Sequence, residues 1–227
     1  MAAGAMGKAY DATWGRLFAS FYDRALKASE ENGLRDMRRT LLAEARGRVV
    51  EIGAGTGVNL DLYSPAVEDL TLIEPDPHMG AKLRERLEAR DGHDSAPPAR
   101  LVTAPAEAIP FPDDTFGTAV ATLVLCTVPD PVGAITELSR VLKPGGRLLF
   151  IEHVRSSDPS SARWQDRFEK PWRFMADGCH CNRDTAATLT ASPFKIESID
   201  QGKLPKAMPI VRPLISGTAA LRGSRVP

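Results

Sequence analysis

Val49-Val50-Glu51-Ile52-Gly53-Ala54-Gly55-Thr56-Gly57 is the stretch that decides the fold: a short apolar run that breaks into three glycines at alternate positions. A buried strand turning into a helix produces this pattern. Glycine tolerates positive φ and lets a ligand approach the backbone, and a helix start offers free N–H groups. The spacing is discriminating. A dinucleotide fingerprint needs Gly-x-Gly-x-x-Gly or Ala; here the third glycine comes one residue early and Val58 holds the dinucleotide position. A phosphate-cradling P-loop would need Gly-Lys-Ser or Gly-Lys-Thr, which is absent.

Outward from this turn, strand and helix patterns alternate. Leu70–Glu74 reads as the second strand, and Asp76-Pro77 opens a helix to about Arg90, with Asp as cap and Pro at the first helical position. After a polar loop, 91–98, come strands at 100–103 and 118–122, a helix from Pro131 to Leu142 stopped by Lys143-Pro144-Gly145-Gly146, and a strand at 147–152. Lys195–Asp200 and Leu214–Leu221 read as closing strands. The expected fold is α/β: a Rossmann-like, doubly wound, seven-stranded, mostly parallel sheet with right-handed crossovers. Two N-terminal helices precede it. The first carries a stripe of Trp14, Leu17, Phe18, Phe21, Tyr22, Ala25 and Leu26, which reads as core packing ahead of a membrane-binding face, and the second runs from Gly33 to Ala45 with Gly47 as its C-cap. The expected organisation is a helical cap (1–47), a cofactor-binding core (48–153), an inserted lid (154–192) and closing strands of the same domain (193–227).

Composition narrows the function. The 227 residues carry 29 Lys+Arg against 29 Asp+Glu, so the basic excess of a nucleic-acid binder is missing. A chain of this length buries roughly 70–75% of its unfolded surface and needs no disulfide or metal to hold a core. Three cysteines, Cys126, Cys179 and Cys181, give no disulfide framework and suit a reducing compartment. No apolar run reaches the length of about 18 residues that spans a bilayer, and the polar Met1–Tyr10 segment has no signal-peptide pattern. The expected location is cytoplasmic.

Glu74 ends the second strand 21 residues after Gly53, where a carboxylate accepts hydrogen bonds from a ribose diol. Together with the glycine turn, Ala106-Glu107-Ala108-Ile109-Pro110-Phe111-Pro112-Asp113 and Lys143-Pro144-Gly145-Gly146-Arg147 follow in the order of a class I S-adenosylmethionine-dependent methyltransferase, which the chain resembles over about 48–152. A finer set, Thr122-Leu123-Val124-Leu125-Cys126-Thr127-Val128, Glu152-His153-Val154, Pro171-Trp172, Asp177-Gly178-Cys179 and Arg183, is similar to the small thiol methyltransferases and their bacterial, phospholipid-methyltransferase-like relatives.

The resemblance implies S-adenosylmethionine as cofactor. Its expected contacts are Glu51, Gly53, Ala54, Gly55, Thr56 and Gly57 under the methionine part, Glu74 on the ribose, Pro75 and Met79 on the adenine, Ala106 and Glu107 at the adenine edge, and Leu123 against the methionine. Many relatives carry Asp before the Ala-Glu pair; this chain has Pro105, so Glu107 or backbone groups must meet the adenine amino group. The membrane-associated relatives carry an N-terminal anchor, which the polar start of this chain does not match, although Trp14, Phe18 and Phe21 offer a weak peripheral lipid contact.

The acceptor is expected to be a small lipophilic molecule, with sulfur favoured over nitrogen or oxygen and a phospholipid amine as the alternative. Tyr22, Cys126, Trp172 and Asp177 are its expected contacts, and Trp164, Phe168, Trp172, Phe174 and Met175 are spaced to line an apolar pocket. His153 and His180 are the candidate bases. Cys179-His180-Cys181 has too few ligands at zinc spacing for a metal site. The rival readings are a nicotinamide oxidoreductase and a cofactor-binding scaffold without turnover.

Overall fold

The computed structural model describes residues 2–90 and 96–223, with side chains from residue 15 onward. Trp14's side chain and most of the 91–98 loop therefore lie outside the described residues. One seven-stranded sheet organises the chain, in the order β3-β2-β1-β4-β5-β7-β6. Its strands are β1 (Gly47–Ile52), β2 (Val67–Ile73), β3 (Ala99–Val102), β4 (Phe116–Thr122), β5 (Leu142–His153), β6 (Phe194–Lys203) and β7 (Pro213–Leu221). β1 to β5 pair in parallel, and β7 runs antiparallel between β5 and β6. The order reverses between β1 and β4, the switch point outside which a doubly wound sheet holds its ligand.

β1 explains why its sequence reads as a continuous apolar run. Val50 and Ile52 pack with Leu138 and Phe150 on one face. Val49 packs with Leu42, Leu72 and Leu83 on the other. A strand covered on both faces has no solvent side to make polar. The flanking helices are α1 (Ala2–Ser29), α2 (Arg35–Leu42), α3 (Pro77–Arg90) and α4 (Pro131–Val141). The cap read from sequence is present: Asp76 Oδ1 accepts from the N–H groups of His78 and Met79. The structure adds a second, with Asp130 Oδ1 accepting from those of Val132 and Gly133.

Three expectations are corrected. The second helix does not start at Gly33: φ reaches +127° there, which breaks the helical run at 30–34, and α2 begins at Arg35. β5 begins at Leu142 rather than 147, because the ladder jumps from Phe116–Leu142 to Thr118–Arg147 and carries 143–146 as an irregular segment. The stripe of α1 is not a core stripe. Leu17 and Phe21 are exposed, and the buried face is made of Gly15, Ala19 and Ser29. α1 packs against α3, where Lys82 Nζ donates to the Ala19 carbonyl, and its small residues let it approach. Asp23 fixes it there, accepting from Thr56 Oγ1 (2.6 Å) and from Arg86 Nη2 (2.8 Å) on α3.

Between β5 and β6 the chain forms α5 (Pro159–Met175) and α6 (Thr185–Thr190). Gln165 holds α5 in place: its buried side-chain amide donates to the carbonyls of Val154, Cys181 and Ile210. Among the described residues no helix is long and apolar enough to cross a membrane.

Candidate active site

A cavity of about 800 Å³ opens at the C-terminal ends of the parallel strands. Its floor is Gly53 and Gly55 after β1, Glu74 to Asp76 after β2, Pro105 to Glu107 after β3 and Leu123 to Val128 after β4. Phe18 and Tyr22 of α1 cover one side, and Trp172, Met175 to Cys179, Leu204, Met208 and Val211 cover the other. Residues from seven separate segments thus meet in one space.

Gly53 and Gly55 both adopt positive φ, +58° and +56°. A Cβ on Gly53 would stand 2.1 Å from Val124 Cγ2, so glycine is required there by both backbone and space. Glu74 accepts from the backbone N–H of Gly55 (2.7 Å) and of Asp76 (2.8 Å). Burial pushes its carboxyl up to about 7, against the pull of those two donors. The adenine-side expectations Pro75, Met79, Ala106 and Glu107 line the same cavity, as does Leu123, which holds a strained φ of +57°. Glu107 accepts from the Asp130 N–H, which fixes its position at the rim.

Four expected cofactor contacts are not on the wall. Glu51 is buried in the sheet and accepts from Tyr63 Oη (2.6 Å) and Asn59 Nδ2 (2.8 Å). Asn59 also meets Arg38, whose buried guanidinium donates to Thr122 and Glu30. This network ties α2 to the ends of β1 and β4; an Arg in an amphipathic pattern reads as solvated, so the sequence did not show it. Thr56 points to Asp23, Gly57 to Leu83, where a Cβ would come within 2.5 Å, and Ala54 into the core. These residues shape the turn from behind.

At the other end of the cavity four side chains converge. His153 Nε2 lies 2.7 Å from Cys179 Sγ, Trp172 Nε1 donates to the same sulfur at 3.4 Å, and Cys126 Sγ is 3.9 Å from it. Hydrogen bonding from Cys126, together with the charge of His153, holds the Cys179 thiol well below its ordinary value. Burial opposes charge on His153, but the adjacent Cys179 outweighs it and the net shift is upward. Cys126 is pushed up by its bond to Cys179 and by burial. The shifts favour the charged forms of Cys179 and His153 and the neutral form of Cys126. Sequence spacing could not reveal it, because the partners lie 26 and 53 positions apart.

The scaffold of this cluster is also defined. The buried Glu152 carboxylate accepts from the N–H groups of Val124 (3.0 Å), Leu125 (2.9 Å) and Cys126 (3.3 Å). Arg183 Nη1 donates to the carbonyls of Leu125 and Val128, tying the lid to the same loop. Asp177 lines the cavity with φ of +48°. His180 does not line it: Nδ1 turns to Glu169 at 2.8 Å. Trp164, Phe168 and Phe174 are likewise corrected, since they are exposed, with Trp164 and Phe168 stacked on each other outside; Trp172 and Met175 alone of that aromatic-rich set reach the cavity. Residues 164, 168, 172 and 175 share one helix face, but only the C-terminal end of α5 reaches the cavity, and Phe174 points to another side. Phe18 lines the cavity and Phe21 is exposed.

Residues 50–150 match the family model described as "Methyltransferase domain". Human thiol S-methyltransferase TMT1B is 36% identical over 182 residues, 78% of this chain and 73% of that protein. Phosphatidylethanolamine N-methyltransferase of Cereibacter sphaeroides is 37% identical over 117 residues, 51% of this chain and 56% of that protein. Among solved structures, YcgJ from Bacillus subtilis has a TM-score of 0.63 at 19% identity, covering 86% of this chain and all of that one. Geranyl diphosphate C-methyltransferase from Streptomyces coelicolor, solved with S-adenosyl-L-homocysteine, has a TM-score of 0.62 at 14% identity, covering 82% of this chain and 76% of that one.

Proposed function

Because the chain belongs to the class I S-adenosylmethionine-dependent methyltransferases, we propose that its acceptor is a small lipophilic thiol, methylated on sulfur. The observation that carries this reading is the Cys179–His153 pair in a cavity walled by Met175, Leu204, Met208 and Val211. A thiol needs only to lose its proton to become a strong nucleophile. The named activity of the TMT1B relative agrees with a sulfur acceptor.

The cavity fits the cofactor: positive-φ glycines leave backbone open to a ligand at one end, and a buried carboxylate stands where a diol would donate to it. Gly53, Gly55, Glu74, Pro75, Met79, Ala106, Glu107 and Leu123 would hold it. When bound, S-adenosylmethionine supplies a methyl group already activated on a sulfonium sulfur. The chain's own residues do the remaining work. The His153 imidazolium, which the adjacent Cys179 helps to keep charged, favours the acceptor's thiolate form, and Cys179 Sγ passes the acceptor's proton on. Trp172 Nε1 fixes the Cys179 sulfur, Tyr22 and Cys126 complete the wall, and α1 and the lid keep water out.

Glu74→Ala is expected to weaken cofactor binding by roughly 10- to 150-fold, the equivalent of a charge-assisted hydrogen bond at about 1.5–3 kcal/mol. The pH dependence has a definite sign. With its folded-state value raised to about 7 from 4.5, Glu74 makes the cofactor-free fold less stable as pH rises from 4.5 through 7, because the folded state holds the proton longer. Cofactor binding needs the carboxylate, so affinity rises between pH 6 and 8. Calorimetry with S-adenosylhomocysteine checks both; Glu74→Gln should flatten the profile.

An amine acceptor is the second reading, favoured by Asp177 on the wall and by the phosphatidylethanolamine N-methyltransferase relative. A panel of alkyl and aryl thiols, amines, phenols and phosphatidylethanolamine vesicles with methyl-labelled cofactor separates the two. Label in thioethers supports the thiol; label confined to the lipid headgroup overturns it.

A further inference from the structure

The cluster at the acceptor end has a second chemical consequence, which follows from its two sulfurs. Cys126 and Cys179 sit 3.9 Å apart, and both line the cavity. A disulfide needs about 2.05 Å between sulfurs. Cys179 follows Asp177 and Gly178, both at positive φ, in irregular backbone that is free of helix or strand ladders. Rotation of its side chain toward Cys126 disturbs no secondary structure. The third cysteine offers a contrast: Cys181 does not line the cavity, donates to the Gln165 carbonyl, and is pushed up to about 11, chiefly by burial.

We infer that Cys179 is a peroxide-reactive modification site and that Cys126 resolves it into an intrachain disulfide across the acceptor end of the cavity. The Cys179 thiolate attacks one oxygen of hydrogen peroxide, the O–O bond breaks, and the leaving hydroxide takes the proton of the His153 imidazolium as water. Cys179 is then a sulfenic acid and His153 is neutral. The Cys126 sulfur attacks the Cys179 sulfur, the S–O bond breaks, and the Cys126 proton leaves with the hydroxyl as a second water, with His153 in position to relay it. Two thiol equivalents are oxidised and one peroxide is reduced to two waters. The bond consumes the thiolate and fills the space where an acceptor would sit.

The ligand-type atoms of Cys126, His153 and Cys179 all lie within 4.8 Å of one another, which raises a metal as the competing occupant. The direct 2.7 Å contact of His153 Nε2 with Cys179 Sγ favours the hydrogen-bonded pair, because two ligands on one tetrahedral zinc stand about 3.5 Å apart.

The test is a cysteine map of the whole wild-type chain after stoichiometric hydrogen peroxide, alkylation and proteolysis. The expected result is a Cys126–Cys179 cross-linked peptide, with fragment ions showing Cys181 alkylated, and reversal of the cross-link by dithiothreitol. In Cys126→Ser the expected result is a dimedone adduct at Cys179 in place of the cross-link. Methyl transfer by the oxidised wild type should fall at least tenfold and return on reduction. Alkylation of both Cys126 and Cys179 after peroxide, first oxidation at Cys181, or zinc co-purifying in stoichiometric amount and shielding Cys126 and Cys179 would each overturn the proposal. The map does not depend on the acceptor, so a thiol panel without turnover and a missing cross-link are separate failures.

Discussion

Glu152→Ala is expected to lower stability by about 3–5 kcal/mol. The carboxylate lies wholly inside the protein and accepts three consecutive backbone N–H groups, those of Val124, Leu125 and Cys126. Removing it orphans three buried donors, each worth about 1–3 kcal/mol when left unmade, with partial relief if water enters. Against a total stability of about 5–15 kcal/mol this is a large fraction. For a chain of this size, the melting temperature should drop by roughly 6–20 °C. Glu152→Gln keeps an acceptor oxygen and should lose less. Because the loop from Leu123 to Cys126 lines the cavity, turnover by the alanine variant should fall even well below its melting temperature. A melting temperature unchanged in Glu152→Ala would show that the loop is held by other contacts.

The second large effect is expected in Cys179→Ala, and its size depends on pH in a way that identifies the role. An alkyl thiol with a pKa of about 8.5 is only about 3% thiolate at pH 7. A site that fully ionises the bound acceptor, here through the charge that Cys179 helps to keep on His153, therefore gains at most roughly 30-fold at pH 7, and roughly twofold at pH 8.5. The variant should show that pattern: a deep loss at neutral pH that closes as the solution ionises the acceptor. The wild-type profile should be flatter, because the shifts of His153 and Cys179 both favour their charged forms. A loss equal at pH 7 and 9 would mean that Cys179 only shapes the wall.

The sheet was legible because each strand obeyed a local rule. Val49 to Ile52 is apolar on both faces since both faces are covered, and Asp76-Pro77 marks a helix start through a cap that the structure contains. Glu74 was legible by its distance from the glycine turn. What local rules could not reach were residues whose partners lie far along the chain. Glu51 stands in the same motif as Gly53 and Gly55, yet it faces Tyr63 and Asn59 behind the turn. A strand alternates its faces, but sequence does not say which face meets the cavity. Leu17 and Phe21 made a convincing stripe on α1, and the structure leaves them exposed, because among the described residues that helix buries Gly15, Ala19 and Ser29 instead. Cys179 was visible as part of a motif; its pairing with His153 and Cys126 exists only in the folded chain.

The central claim, that this cavity delivers a methyl group to sulfur, is tested most directly by internal competition. An alkyl thiol, alcohol and primary amine of the same chain length are offered together at equal concentration with methyl-labelled cofactor, and products are resolved by mass at pH 7.5. The expected result is label in the thioether in large excess over the other two products, with the excess falling sharply in Cys179→Ala. Label in the amine or ether with no thioether formed would contradict the account.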